Sequence, residues 1–223
     1  MSARRVLDQV SSLAHLDAFD PPAYAAQLAA EVPAAATLAE LEARDAFLSD
    51  ALAQLDEMIA RAMRLRLDHA LAADSSLGVP TRKVFATTVV RYADDLGLLA
   101  QRVRDVAARG GAREPEIVAD AVVGAARGVL DLRARARVGV LALIQGCAAA
   151  SVAEADRRAR DRSQGEPTRR RWSAGRRELE AIAADPARIT AAAMAARLAT
   201  FPDQLDEPPA EPEATLADLI ELD

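Results

Sequence analysis

The sequence predicts an all-α fold: an elongated, mostly antiparallel helical bundle with three long helices and shorter terminal helices. Three observations predict it. No window alternates apolar and polar residues for long enough to make a strand. Apolar residues make up 51% of the chain but aromatic ones only 3%, so alanine, leucine and valine carry the core. From Pro115 to about Ser163, apolar or small residues recur at steps of four and three: Val118, Val122, Ala125, Val129, Leu132, Ala136, Gly139, Leu143, Gly146 and Ala150. That spacing is a heptad seam, the coiled-coil-like pattern of a helix packed lengthwise against others.

The long element is the centre of the prediction. Its seam is built of small residues, which let helix axes approach closely but bury less apolar area per turn. Gly124, Gly128, Gly139 and Gly146 each sacrifice about 1 kcal/mol of helix propensity relative to alanine, and they read as close-packing positions or kinks. Unbroken, the helix would run for about 70 Å at ~1.5 Å per residue, so a break near Gly139 or Gly146 stays open.

In chain order, residues 3–18 form an amphipathic helix with Val6, Leu7, Val10, Leu13 and Ala14 on one side. Asp20 followed by Pro21 is a helix start, since aspartate caps and proline suits the first turn; Pro33 ends that helix. Thr37 and Glu40 have capping-box spacing and open a helix that runs to about Ala73. Its seam is Leu38, Leu41, Leu48, Leu52, Leu55, Ile59 and Ala62, with Asp45 and Arg66 falling on it near either end. A loop from Asp74 to Pro80 precedes one helix presenting Phe85, Val89, Tyr92, Leu96, Leu99, Val103 and Val106, which stops at Gly110-Gly111. The short loop to Glu114 turns the chain into an antiparallel hairpin with the long element, where Pro115 sits in the first turn. Gln164 to Thr168 breaks that element. A helix with Trp172, Leu179 and Ile182 follows to Ala184, and Asp185-Pro186 repeats the start signal.

The chain has 223 residues, room for one large domain or two small ones. The pattern reads as a bundle domain over 1–200 and an acidic, proline-containing tail over 201–223. Cys147 is the lone cysteine, so it has no partner for a disulfide within the chain. Arg4 and Arg5 are followed by Asp8 with no apolar core, unlike a signal peptide. The charge-free run from Val138 to Ala153 is shorter than the ~20 residues that span a bilayer. It reads as a buried helix segment, with an interfacial membrane helix as the rival, and the expectation is a cytoplasmic protein with no membrane partner.

A carboxylate-bridged di-metal site in a bundle uses Glu-x-x-His pairs. Ser12 precedes His15 by three residues and Arg66 precedes His69, so neither fits, and no metal or cofactor is expected. Asp94-Asp95 and Asp68-His69 read as solvated faces, because adjacent helical residues point in different directions. No catalytic constellation is legible, which favours a non-enzymatic role and leaves a bundle enzyme or small-ligand binder as the weaker alternative.

Two charge features remain. Nine arginines lie between 157 and 177: Arg157, Arg158, Arg160, Arg162, Arg169, Arg170, Arg171, Arg176 and Arg177, with only Asp161 and Glu166 among them. The plain reading is surface arginines paired with Glu154, Asp156, Glu178 and Glu180. The functional reading is an anion-binding surface, nucleic acid included, although a chain of net charge −6 argues against a dedicated nucleic-acid binder. From Asp203 to Asp223 there are eight acids and no base. At its end Leu216, Leu219 and Ile220 share one face of a short helix, with Leu222 beside them, the layout of a docking peptide for an apolar groove on a protein partner. The expected function is a helical scaffold, adaptor or assembly subunit, with homo-oligomers formed through the long helices. The alternative is anion or nucleic-acid binding by the arginine segment, regulated by the acidic tail.

Overall fold

The computed structural model describes residues 2–35, 37–72, 79–92 and 95–186. Among them are eight helices and no strand: α1 (Ala3–Asp8), α2 (Leu13–Asp17), α3 (Pro21–Glu31), α4 (Leu38–Ala72), α5 (Val79–Tyr92), α6 (Leu96–Arg109), α7 (Pro115–Arg160) and α8 (Glu166–Ala184). The fold is all-α. Backbone packing divides the described chain into two compact units. One takes the residues up to Arg66 and those from Arg127 onward; the other takes Leu67 to Ala126.

The helix starts follow local chemistry. Asp20 accepts from the Ala23 N–H at 3.4 Å, with Pro21 in the first turn of α3. Thr37 and Glu40 close the expected capping box, the Thr37 N–H donating to Glu40 at 2.8 Å and the Glu40 N–H to Thr37 at 3.2 Å. Two expected helices are each divided. The first breaks into α1 and α2 because Ser12 accepts from the His15 N–H at 3.3 Å and restarts the helix. Where the sequence reads one helix from Thr81 to Gly110, α5 ends at Tyr92 and Asp95 caps α6, accepting from the Leu98 N–H at 3.0 Å. Asp95, read as a solvated face, is a cap.

In the first unit α4 and α7 pack antiparallel. Arg44 of α4 reaches Cys147 and Ser151 of α7, while Asp56, further along α4, meets Arg137, nearer the start of α7. The two faces are complementary in size. Leu48, Leu52, Leu55, Met58 and Ile59 come from α4, and Ala136, Val140, Ile144, Ala148 and Ala155 from α7, all buried. Burying one such leucine contributes about 1.5–3 kcal/mol. Helix α3 adds Tyr24 and Leu28, and α8 adds Trp172, Leu179 and Ile182. In the second unit α5 and α6 form a hairpin that buries Phe85, Ala86 and Val89 against Leu99, Val103 and Ala107. Gly111 takes the left-handed φ of 84° in the turn after α6, and Arg104 pairs with Glu116 of α7 across that turn at 3.5 Å.

Helix α7 is one helix of 46 residues, with no break at Gly139 or Gly146. Its seam, however, is not a strict heptad. The buried line runs Val118, Val122, Ala126, Val129, Leu132, Ala136, Val140, Ile144, Ala148, Ser151 and Ala155. The heptad prediction holds at Val118, Val122, Val129, Leu132 and Ala136, with Ala126 buried in place of Ala125; beyond Ala136 it falls behind, Gly139 giving way to Val140, Leu143 to Ile144, Gly146 to Ala148 and Ala150 to Ser151. The observed step is about 3.7 residues, and a helix of 3.6 residues per turn drifts ~20° per heptad, close to one position over four heptads.

That drift also decides what the glycines do. Gly139 is a close-packing site, where an added Cβ would lie 2.7 Å from the Ala25 Cβ of α3. Above Gly124, Gly128 and Gly146 there is open space, so none of these is a packing glycine. Gly128→Ala and Gly146→Ala should each stabilise the protein by about 0.5–1 kcal/mol. Gly139→Ala should lower the thermal midpoint, because a rigid methyl must move. An equal gain at all three positions would contradict this packing.

Candidate functional site

The nine arginines singled out in sequence occupy the last turns of α7, the turn after it and α8 as far as Arg177. Most of them meet an acid. Arg157 donates to Glu154 at 2.6 and 2.8 Å, and Arg158 does so at 2.7 Å. These hydrogen bonds hold the half-buried Glu154 carboxyl down to about 2. Arg160 pairs with Asp156 at 2.9 Å, and Arg170 pairs with Glu166 one helical turn before it. Arg176 bridges to Asp156 of α7 at 3.1 Å and to Glu180 at 3.7 Å, fastening α8 along α7. Asp161 accepts from the hydroxyl and backbone N–H of Ser163, which lower its pKa and shape the turn. Arg162 and Arg177 are exposed, Arg169 is half-buried, and Arg171 lines a cleft beside Trp172. The segment is therefore a set of local ion pairs with a few outward cations, and exposed pairs of this kind contribute at most about 1 kcal/mol each.

That cleft, about 190 Å³, lies between α4, the end of α7 and α8 and holds Asp45 and Glu178. Glu178 was expected to neutralise an arginine; here it faces the pocket of Asp45. Burial raises the Asp45 carboxyl above its ordinary 3.8, Arg44 opposes the shift and Glu178 adds to it. A carboxyl perturbed this way in a cleft is a candidate proton carrier. No other group in the cleft completes a reaction centre. A Ser–His contact occurs in the turn before α2, Ser11 Oγ to His15 Nδ1 at 3.2 Å, but it is exposed and no third residue orients the imidazole. Among the described residues no group of three or more His, Cys, Asp or Glu could hold a metal ion.

Sequence reasoning missed two buried charges and one exposed face. Arg44 is only 7% exposed and donates to the Cys147 carbonyl at 3.1 Å and the Ser151 hydroxyl at 2.8 Å. Asp56 is 4% exposed, with Arg137 at 3.7 Å. The charge-free stretch expected to be a buried helix segment is buried on one side only. By length and composition α7 could cross a membrane, yet 28% of its most apolar window is buried in the protein. Val138, Ala142, Gly146, Ala149 and Ala153 point outward, Val138 with 68% of its surface exposed. The docking residues Leu216, Leu219, Ile220 and Leu222 lie outside the described residues.

Comparison of the chain with protein-family models, with curated proteins and with solved structures finds no match.

The raised carboxyl gives a pH signature. A folded-state pKa above the unfolded one means that the folded protein holds the proton more tightly, so stability rises as pH falls through the folded pKa toward the unfolded value. Asp45→Asn should therefore raise the thermal midpoint at about pH 7, and its advantage should shrink as the pH is lowered toward about 4. An advantage that stays constant with pH would assign the effect to something other than this carboxyl.

Proposed function

We propose that this protein is a non-enzymatic assembly subunit or scaffold, working through lateral packing of helix α7 against α7 of a second copy. The outward face of that helix carries the reading. It is apolar and small where a solvated face would be charged: no charged residue stands between Val138 and Ala153. A helix covered by its own protein on all sides would not leave Val138 and the alanines beyond it open.

The face is also self-complementary. With an antiparallel second copy and a twofold axis at residues 145 and 146, Ala142 lies against Ala149 and Val138 against Ala153. Closed dimers use one patch twice in this way, and small side chains let the helix axes approach closely. The tail segment Leu216, Leu219, Ile220 and Leu222 serves in this reading as the adaptor element for a further protein partner. Anion binding by the arginines between 157 and 177 has less support, since Glu154, Asp156, Glu166 and Glu180 already match many of them.

Size-exclusion chromatography with light scattering at tens of micromolar should give a dimer. Ala149→Glu, an exposed position, should give a monomer with an unchanged melting curve. A wild-type monomer would overturn the dimer, and a monomer that cosediments with lipid vesicles through the same face would assign that face to a membrane instead.

A further inference from the structure

The outward face of α7 has charged ends as well as an apolar centre. Asp131 and Arg135 stand before Val138, and Asp156 and Arg160 stand after Ala153. The line steps by four, three and four residues from Asp131 to Ala142 and again from Ala149 to Arg160. Its mean step of about 3.6 residues keeps it on one side of a straight helix. The charges run acid then base at both ends.

All four groups are within reach of a neighbour. Asp131 and Arg135 are exposed, and among the described residues neither is in an ion pair. Arg160 pairs with Asp156 at 2.9 Å along its own helix, yet 77% of its side chain stays exposed. Asp156 is steadied by Arg176 of α8 at 3.1 Å and keeps 28% of its side chain open.

This order distinguishes the ways of laying one α7 on another. In a parallel pair, each acid meets the same acid and each arginine the same arginine. In an antiparallel pair with its axis at residues 145 and 146, Asp131 falls opposite Arg160 of the second copy, and Arg135 opposite its Asp156. The apolar centre cannot hold that alignment alone, because Val138, Ala142, Ala149 and Ala153 differ too little in size to resist sliding. The charges resist it. A slip of one turn brings Asp131 against Asp156 in one direction, and Arg135 against Arg160 in the other. A parallel pair offset by one turn matches opposite charges, but it is a head-to-tail contact that does not close into a dimer.

We infer that α7 recognises a second copy of this chain by charge order, Asp131 pairing with Arg160 and Arg135 with Asp156 across an antiparallel interface. This rests on the α7 dimer proposed above and adds what fixes its direction and register. Acids and bases alternate through each end, and such a network contributes where an isolated exposed pair does not. Wrong alignments are rejected by like charges placed face to face.

The test is a charge swap, with dimer strength measured by analytical ultracentrifugation of the full chain. Asp131→Arg and Arg160→Asp each set like charges against one another at both ends, so each alone should dimerise about tenfold or more weakly than the unchanged chain. Mixed in equal amounts, the two should form a heterodimer of roughly the unchanged strength, identified by native mass spectrometry. A variant that is weak alone and pairs in the mixture is folded. Arg135→Glu, which has no ion pair of its own to lose, gives a further reversal and should weaken the dimer likewise. If the reversed chains dimerise as the unchanged chain does, the charge register is overturned while the apolar dimer stands. An unchanged chain that is monomeric at tens of micromolar overturns both. Preferential pairing of Asp131→Arg with the unchanged chain, rather than with Arg160→Asp, marks a parallel dimer and also overturns this register.

Discussion

The antiparallel pairing of α4 with α7 is the constraint from which the first unit follows, and two buried charges set its register. A guanidinium can enter a core only if its donors find acceptors. Arg44 finds them because α7 offers a backbone carbonyl at Cys147 and a hydroxyl at Ser151, one helical turn apart, with small neighbours that leave room. Asp56 and Arg137 repeat the device further along the pair. Sliding α7 along α4 by one turn would keep apolar side chains against apolar side chains almost everywhere, since the α7 line of Val129, Leu132, Ala136, Val140, Ile144 and Ala148 is apolar throughout. It would strand Arg44 and Asp56 without partners, a loss of about 3–5 kcal/mol for a broken buried pair. The apolar seam thus supplies most of the adhesion, while the charges select one alignment from several similar ones.

Small residues on α7 have a second consequence. They admit α3 at Gly139, where even a methyl group does not fit, and they leave the opposite side of the helix nearly featureless. A helix made narrow for close packing on one side is also narrow on the other. The same composition therefore produces a tight interior and an unguarded exterior, and the assembly role proposed above grows from that pairing.

What the sequence made legible was local. Asp20 with Pro21, Thr37 with Glu40, and Pro115 act through hydrogen bonds or dihedral limits within one turn, so their spacing carries the information. What it hid was relational. Asp95 looks like any surface carboxylate until its acceptance of the Leu98 N–H makes it the cap of α6. A seven-residue ruler fits α7 at most positions as far as Ala136 and then falls behind, because the error accumulates with length. Arg44 and Asp45 are neighbours, yet arginine takes the core and aspartate the half-buried rim, a choice made by acceptors on a helix about a hundred residues away. Charge behaves alike: the arginines crowded between 157 and 177 are largely matched in space by Glu154, Asp156, Glu166 and Glu180.

If the α4–α7 register is what the first unit depends on, its two helices must open together and last. Native-state hydrogen exchange on the full chain measures this directly. The slowest amides should lie in α4 around Leu48 to Ile59 and in α7 around Val129 to Ala148, sharing one opening free energy equal to that of unfolding this unit. If the middle of α7 instead exchanges readily while α4 stays protected, or if α8 outlasts both, the pairing of α4 and α7 is not the foundation of this structure.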